Sequence, residues 1–114
     1  MSFLYGEAQK FDSCISILRK ALKIDSQNVY ILNNLAYDYN KIQDYKSAIY
    51  YSKIGLKLTN DSLWIGTLLN TLGFAQFKEI NTKTGLKTIN KSLKYFPNNP
   101  FAYYNKGYIF LSEI

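Results

Sequence analysis

The sequence predicts an all-α fold, a solenoid of antiparallel helix pairs forming one domain over residues 1–114. Three observations predict it. First, the chain repeats itself. Tyr5, Phe11, Cys14, Ala21, Leu22 and Ile24 return 34 residues later as Tyr39, Tyr45, Ala48, Gly55, Leu56 and Leu58. At a shift of 37, Leu35, Ala36, Ala48, Gly55 and Leu56 return as Leu72, Gly73, Gly85, Ser92 and Leu93; a further 34 carries Leu69, Gly73 and Gln76 to Tyr103, Gly107 and Phe110. A period in this range marks stacked units, each burying a face that it cannot bury alone. Second, small residues recur where helices would cross. They are Ser2, Ala36, Gly73 and Gly107 on the first helix of each pair, and Cys14, Ala48, Gly85, Ala21, Gly55 and Ser92 on the second. Close crossing requires small side chains because interiors are filled to crystal-like density. A helical Gly costs about 1 kcal/mol relative to Ala, and a close crossing gives Gly55, Gly73, Gly85 and Gly107 a reason to be there. Third, only two of the residues are Pro, and 47% are hydrophobic. Long helices are thus permitted almost everywhere, with enough apolar surface for a core.

Taken in order, seven helices are expected: about 1–9, 12–24, 29–42, 46–58, 64–80, 83–95 and 101 to the end. The repeats run over 1–28 (truncated), 29–62, 63–99 and 100–114 (first helix only). Asp25-Ser26, Asn60-Asp61-Ser62 and Pro97-Asn98-Asn99-Pro100 are the stop and start signals. Asp61 or Ser62 suits an N-cap, and Pro100 a first helical turn, where its missing N–H is not needed. Asp44 reads as part of the turn before the fourth helix. The 37-residue interval carries three extra residues within Ser62–Ile65, expected to lengthen that helix by nearly a turn. The chain opens inside a first helix and closes after another, so it is expected to be a piece of a longer array or to cover its last helix by self-association.

The residues that carry the repeat have a familiar arrangement. Leu32, Leu35-Ala36 and Tyr39 are followed by Ala48, Gly55 and Asn60; Leu69, Leu72-Gly73 and Gln76 by Gly85, Ile89, Ser92 and Pro97; then come Tyr103, Lys106-Gly107 and Phe110. The pattern resembles the tetratricopeptide repeat: a large apolar residue, Leu-Gly and Tyr on one helix, then Ala, an aromatic and Pro on the next. Lys106 departs from it, standing where the family favours Leu. The resemblance spans essentially the whole chain. It implies a right-handed α-solenoid of about three repeats plus a terminal helix, with first helices lining a concave groove and second helices facing outward. It also implies a protein-binding role.

Combined with helical spacing, the resemblance assigns groove residues. In the second repeat they are Tyr30, Asn33, Asn34, Tyr37, Asn40 and Lys41. In the third they are Thr67, Asn70, Thr71, Phe74, Phe77 and Lys78, and in the last Phe101, Tyr104, Asn105, Tyr108 and Leu111. Rings supply apolar area at little entropic cost, and amides satisfy both N–H and C=O groups of an extended peptide. Family members that clamp acidic chaperone tails use cations on successive first helices. Asn34 matches their central Asn, but Tyr30, Tyr37, Thr67 and Thr71 stand beside it, so that clamp is not expected here.

Composition removes other classes. The chain has no His and one Cys, Cys14, so the usual zinc and iron ligand sets and a His-based triad are absent. Cys14 falls at a packing position and reads as a structural thiol. No Gly-rich phosphate loop occurs. No catalytic residue, metal or cofactor is expected, and the chain is not expected to be an enzyme. The net charge of +6 is spread evenly, with eight basic and five acidic groups in residues 1–60 and six and three in 61–114. Helical spacing gathers Arg19, Lys20 and Lys23, then Lys53 and Lys57, then Lys87, Lys91 and Lys94 into a stripe on the outward helices. There is no signal-peptide pattern and no run long enough to span a bilayer, so a cytoplasmic chain without a membrane partner is expected. The leading expectation is an adaptor or scaffold that binds a peptide or protein segment in the groove. The alternatives are a self-assembling structural module, a homo-oligomer through its last helix, and, behind it, an RNA-binding solenoid using the Lys stripe.

Overall fold

A computed structural model describes the backbone from Ser2 to Ile114 and the side chains from Gln9 onward. Six helices follow one another: α1 Ser2–Ile24, α2 Val29–Lys41, α3 Tyr45–Leu58, α4 Ser62–Glu79, α5 Thr82–Tyr95 and α6 Pro100–Ser112. No strand occurs among the described residues.

Each of the last five helices opens on a side-chain cap. Asn28 Oδ1 accepts from the Ile31 N–H, Asp44 from Ser47, Asp61 from Leu63 and Trp64, Asn81 from Thr84 and Asn99 from Phe101. Such a cap is worth about 1 kcal/mol. Pro100 occupies the first turn of α6. Helix α2 ends in a Schellman arrangement. Gln43 adopts φ 67°, its N–H bonds the Asn40 carbonyl, and the Asp44 N–H bonds that of Tyr39 at 2.9 Å.

The break expected near residue 10 is absent, and α1 is a single helix of 23 residues where two helices, 1–9 and 12–24, were expected. The reason lies in the turn chemistry. Asp44 and Asn81 cap the second helix of their pairs, and the residue in that register 34 positions before Asp44 is Lys10, which has no acceptor to offer. Without a cap the helix continues. The three extra residues act as expected. Gly66 is the register equivalent of Val29, and α4 begins four residues before it, at Ser62.

Consecutive helices pack pairwise, and α2 packs on α4 and α4 on α6 as well; among the described residues the backbones of α1 and α3, and of α3 and α5, stay farther apart. The even-numbered helices therefore form one layer and the odd-numbered ones the other. The α4–α5 hairpin shows the antiparallel register directly. A Cβ on Gly66 would meet Phe96, one on Gly73 would meet Ile89 at 2.5 Å, and one on Gly85 would meet the Phe77 Cα and Gly73 O at 2.8 Å. Of the small residues expected at crossings, Ala36, Ala48, Gly55, Gly73, Gly85 and Ser92 are buried. Cys14 and Ala21 are half-buried, Gly107 is exposed, and the Ser2 side chain lies outside the described residues. Two buried hydroxyls are satisfied within their own helices, Ser52 by the Ala48 carbonyl and Ser92 by that of Ile89.

The core has two centres. Ile15, Leu35, Tyr39, Ala48 and Ala75 form one, flanked by Leu18, Leu22 and Ile49; Ile89, Ala102 and Ile109 form the other, flanked by Phe77, Leu86 and Leu93. Burying each of the larger aliphatic side chains contributes about 1.5–3 kcal/mol.

Candidate partner-binding face

The layer formed by α2, α4 and α6 carries the residues that spacing assigned to a groove, and polar ties hold its three helices together. Thr71 Oγ1 donates to Asn33 Oδ1 at 3.1 Å, and Asn40 Nδ2 donates to the Thr71 carbonyl at 3.2 Å, joining α2 to α4. Asn105 Nδ2 donates to Asn70 Oδ1 at 3.0 Å, and Lys78 Nζ donates to the Tyr108 hydroxyl at 3.2 Å, joining α4 to α6. These residues stand 30–38 positions apart, one repeat in every case. The ladder of amides thus spends part of its bonding capacity on neighbouring helices. Asn33 and Asn70 retain their N–H2 groups and Asn105 its carbonyl oxygen. Asn34 is half-buried.

The rings divide into two groups. Phe74 is half-buried, with its centroid 6.4 Å from Tyr45, 6.2 Å from Phe77 and 6.0 Å from Tyr108; Phe77 also lies 6.1 Å from Tyr108. This cluster fills the seam between α3, α4 and α6, so Phe74 and Phe77 serve packing first. Asn70, only 6% exposed, belongs with them. Tyr30, Tyr37, Phe101, Tyr104 and Tyr108 are exposed, Tyr104 the most at 72%. Tyr30 contacts Trp64 edge-on at 6.0 Å.

Two cations lie over rings of this face. Lys41 Nζ stands 5.1 Å from the Tyr37 centroid, and Lys78 Nζ 5.2 Å from Tyr108 and 5.5 Å from Phe77. Near the end of the layer, Tyr103, Tyr104, Gly107, Tyr108 and Leu111 line an open hollow of about 280 Å³. The face therefore offers exposed rings, free amide groups and two stacked cations. That set suits an extended segment with carbonyl groups and apolar side chains to present.

Sequence reasoning missed four features of this region. Trp64 as the partner of Tyr30 was recoverable, since it stands 34 residues after it; the three-residue insertion hid the match. Tyr45, an α3 residue that reaches Phe74, and the open hollow beside Gly107 depend on how far apart the helices sit. Gly66 as a close contact to Phe96 follows only once α4 is known to gain its extra turn.

On the opposite layer the basic residues Arg19, Lys20, Lys23, Lys53, Lys57, Lys87, Lys91 and Lys94 are all exposed. Burial pushes the Tyr51 hydroxyl pKa up, as does neighbouring Tyr39, against the lowering effect of Arg19. Asp38, on α2, is 8% exposed, and its burial raises its pKa. Among the described residues no three of His, Cys, Asp and Glu converge as a metal-ligand set, and no helix is long and apolar enough to cross a membrane. No protein-family model matches the chain, and no curated protein matches it in sequence.

Proposed function

We propose that the chain is a tetratricopeptide-like α-solenoid that acts as a protein-binding adaptor, not as an enzyme, gripping an extended peptide segment across α2, α4 and α6. The observation that carries this reading is the layer itself. Three helices one repeat apart lie side by side with none of the other described helices over them, and they present Tyr37, Tyr104 and Tyr108 beside partly unused amides. Exposed rings at repeat spacing provide the anchor points that a bound segment needs.

The test is selection of peptides from a displayed random library on the folded chain, followed by titration of the best binder. Tyr37→Ala with Tyr104→Ala is expected to weaken binding by at least about tenfold, the usual cost of removing two aromatic anchors. Both rings are exposed, so circular dichroism should not change. Unchanged affinity in the double variant would sink the groove reading. Phe74→Ala is the wrong probe, because that ring belongs to the cluster between helices.

A second reading, self-association through α6, is favoured by one specific observation. Gly107 has nothing within 4 Å of the position its Cβ would occupy, and Phe110 and Leu111 beside it are exposed. It predicts a mass above monomer in light scattering that falls on Phe110→Ser with Leu111→Ser. A monomer at millimolar concentration would dismiss it.

A further inference from the structure

The turns that lead from α1 to α2, α3 to α4 and α5 to α6 share one edge of the molecule, because consecutive helices alternate in direction. At that edge each odd-numbered helix ends on the same pair of residues in the same register. The pairs are Lys23–Ile24, Lys57–Leu58 and Lys94–Tyr95, and all six side chains are exposed, Ile24 to 90%. The helices that start there add exposed Leu63 and Phe101, and Trp64 lies half-buried behind them. The opposite edge also carries exposed Lys41, Lys46, Lys78 and Lys83, but its two turns expose one large apolar side chain, Ile80, and its other exposed apolar residues, Phe110, Leu111 and Ile114, belong to the end of α6 alone.

From this arrangement we propose that the edge is a peripheral docking surface for an anionic lipid bilayer. Charge complementarity selects the occupant. Helices α3 and α5 contain Lys but neither Asp nor Glu. The two carboxylates at the edge, Asp61, which caps α4, and Asp25, which accepts from Asn28 Nδ2 at 3.0 Å, keep their charge but are outnumbered by seven exposed cations in the last two turns of α1, α3 and α5, Arg19 and Lys20 among them. The edge is therefore positive, and two copies meeting there would oppose Lys to Lys. A nucleic acid would meet the lysines through phosphates and stack on Tyr95 and Phe101, but it has no use for Ile24, Leu58 and Leu63, which are aliphatic and do not stack on bases as aromatics do. A bilayer interface uses both halves of each pair: the ammonium reaches the anionic headgroups while the neighbouring apolar side chain enters the acyl boundary. Peripheral docking of this kind needs no spanning helix, and no helix among the described residues is long and apolar enough to be one.

The test is cosedimentation of the full chain with phosphatidylcholine vesicles, with and without phosphatidylserine, at low and high salt. The chain is expected to pellet with the phosphatidylserine vesicles, to pellet poorly with phosphatidylcholine alone, and to be released as salt shortens the Debye length. Ile24→Asp with Leu63→Asp should weaken binding at least about tenfold, and Lys23→Gln, Lys57→Gln, Lys94→Gln should remove the dependence on phosphatidylserine. All five positions are exposed, and an unchanged far-UV spectrum confirms that each variant is folded. No pelleting with anionic vesicles at low salt would overturn the proposal, as would pelleting that the folded Asp variant retains. A gel shift with single-stranded RNA in the absence of vesicle binding would assign the edge to nucleic acid instead.

Discussion

Gly73 and Gly107 occupy the same register in successive repeats, yet their surroundings differ completely. Gly73 faces α5 so closely that an added Cβ would lie 2.5 Å from Ile89 and 3.0 Å from the Gly85 carbonyl oxygen, whereas Gly107 faces open space. The backbone at both positions is helical, and an aromatic follows each glycine, Phe74 and Tyr108. The difference lies in the next helix along the chain. Helix α4 is covered by α5, and α6 has no later helix to cover it among the described residues. A small residue in a repeat therefore records a crossing that the register calls for, and only the neighbour decides whether the crossing is made. The hollow beside Gly107 and the exposed rings around it have the same origin.

The comparison can be broken most severely from the closed side. Gly85→Ala would drive a methyl group into the Phe77 Cα and the Gly73 carbonyl oxygen, both main-chain atoms that cannot swing away. Overpacking of this kind costs about 1–3 kcal/mol, more than Ala gains in helix propensity, so urea denaturation should show a lower midpoint. An unchanged or higher midpoint would mean that the α4–α5 crossing is looser than its geometry. Next in size is the seam between α4 and α6. Asn70→Ala would leave Asn105 Nδ2 without its partner and open space beside α6, at a cost of about 1–3 kcal/mol. Asn105→Ala removes the more exposed member and should cost less, and a double-mutant cycle would measure the coupling.

On the open side the sign reverses. Gly107→Ala meets nothing within 4 Å, so only the propensity term remains, and stability should rise by up to about 1 kcal/mol. The same substitution probes the second functional reading. If another copy closes on Gly107 in solution, Ala there lowers the mass measured by light scattering; if the face stays open, the mass does not change.

Much of this fold was legible from residue pattern alone, and the exceptions share a cause. The five later helices could be read to within about two residues, because the repeat supplies their faces and Asp44, Asp61, Asn81 and Asn99 punctuate them. The first helix was misread, because apolar and small positions such as Cys14 and Ala21 recur whether or not the chain turns between helices. The turn depends on a polar cap, and Lys10 in place of Asp44 was the signal. The candidate face divides in the same way. Period identified which side chains share it. It could not tell that Asn70 and Phe74 are engaged by α6 and α3 while Tyr37 and Tyr104 are free, since that depends on the separation of helices and on side-chain rotamers. Whether the face binds a peptide is a question that only the titration with the Tyr37→Ala, Tyr104→Ala variant answers.

The smallest expected effect comes from a register position that is closed in all three even-numbered helices. Asp38, Ala75 and Ile109 stand at shifts of 37 and 34, and each is buried. In α2 the residue is a carboxylic acid, and burial raises its pKa above the ordinary 3.8. The folded chain consequently holds that proton at pH values where the unfolded chain has released it. Stability contributed by the neutral form is present below the unfolded value and is lost as pH rises through the raised folded value. Asp38→Asn cannot ionise, so the stability difference between variant and wild type should move in the variant's favour across that acidic window and then stay constant toward neutrality. Parallel urea titrations from acidic to neutral pH would measure it. A difference that does not change with pH would mean that Asp38 meets water, or a compensating partner, when it ionises. Asp38→Ala, which copies the residue of α4, separates the charge from the shape: a gain at neutral pH in both variants assigns the cost to the carboxylate, and a gain in Ala alone assigns it to polarity at a position that the neighbouring repeats keep apolar.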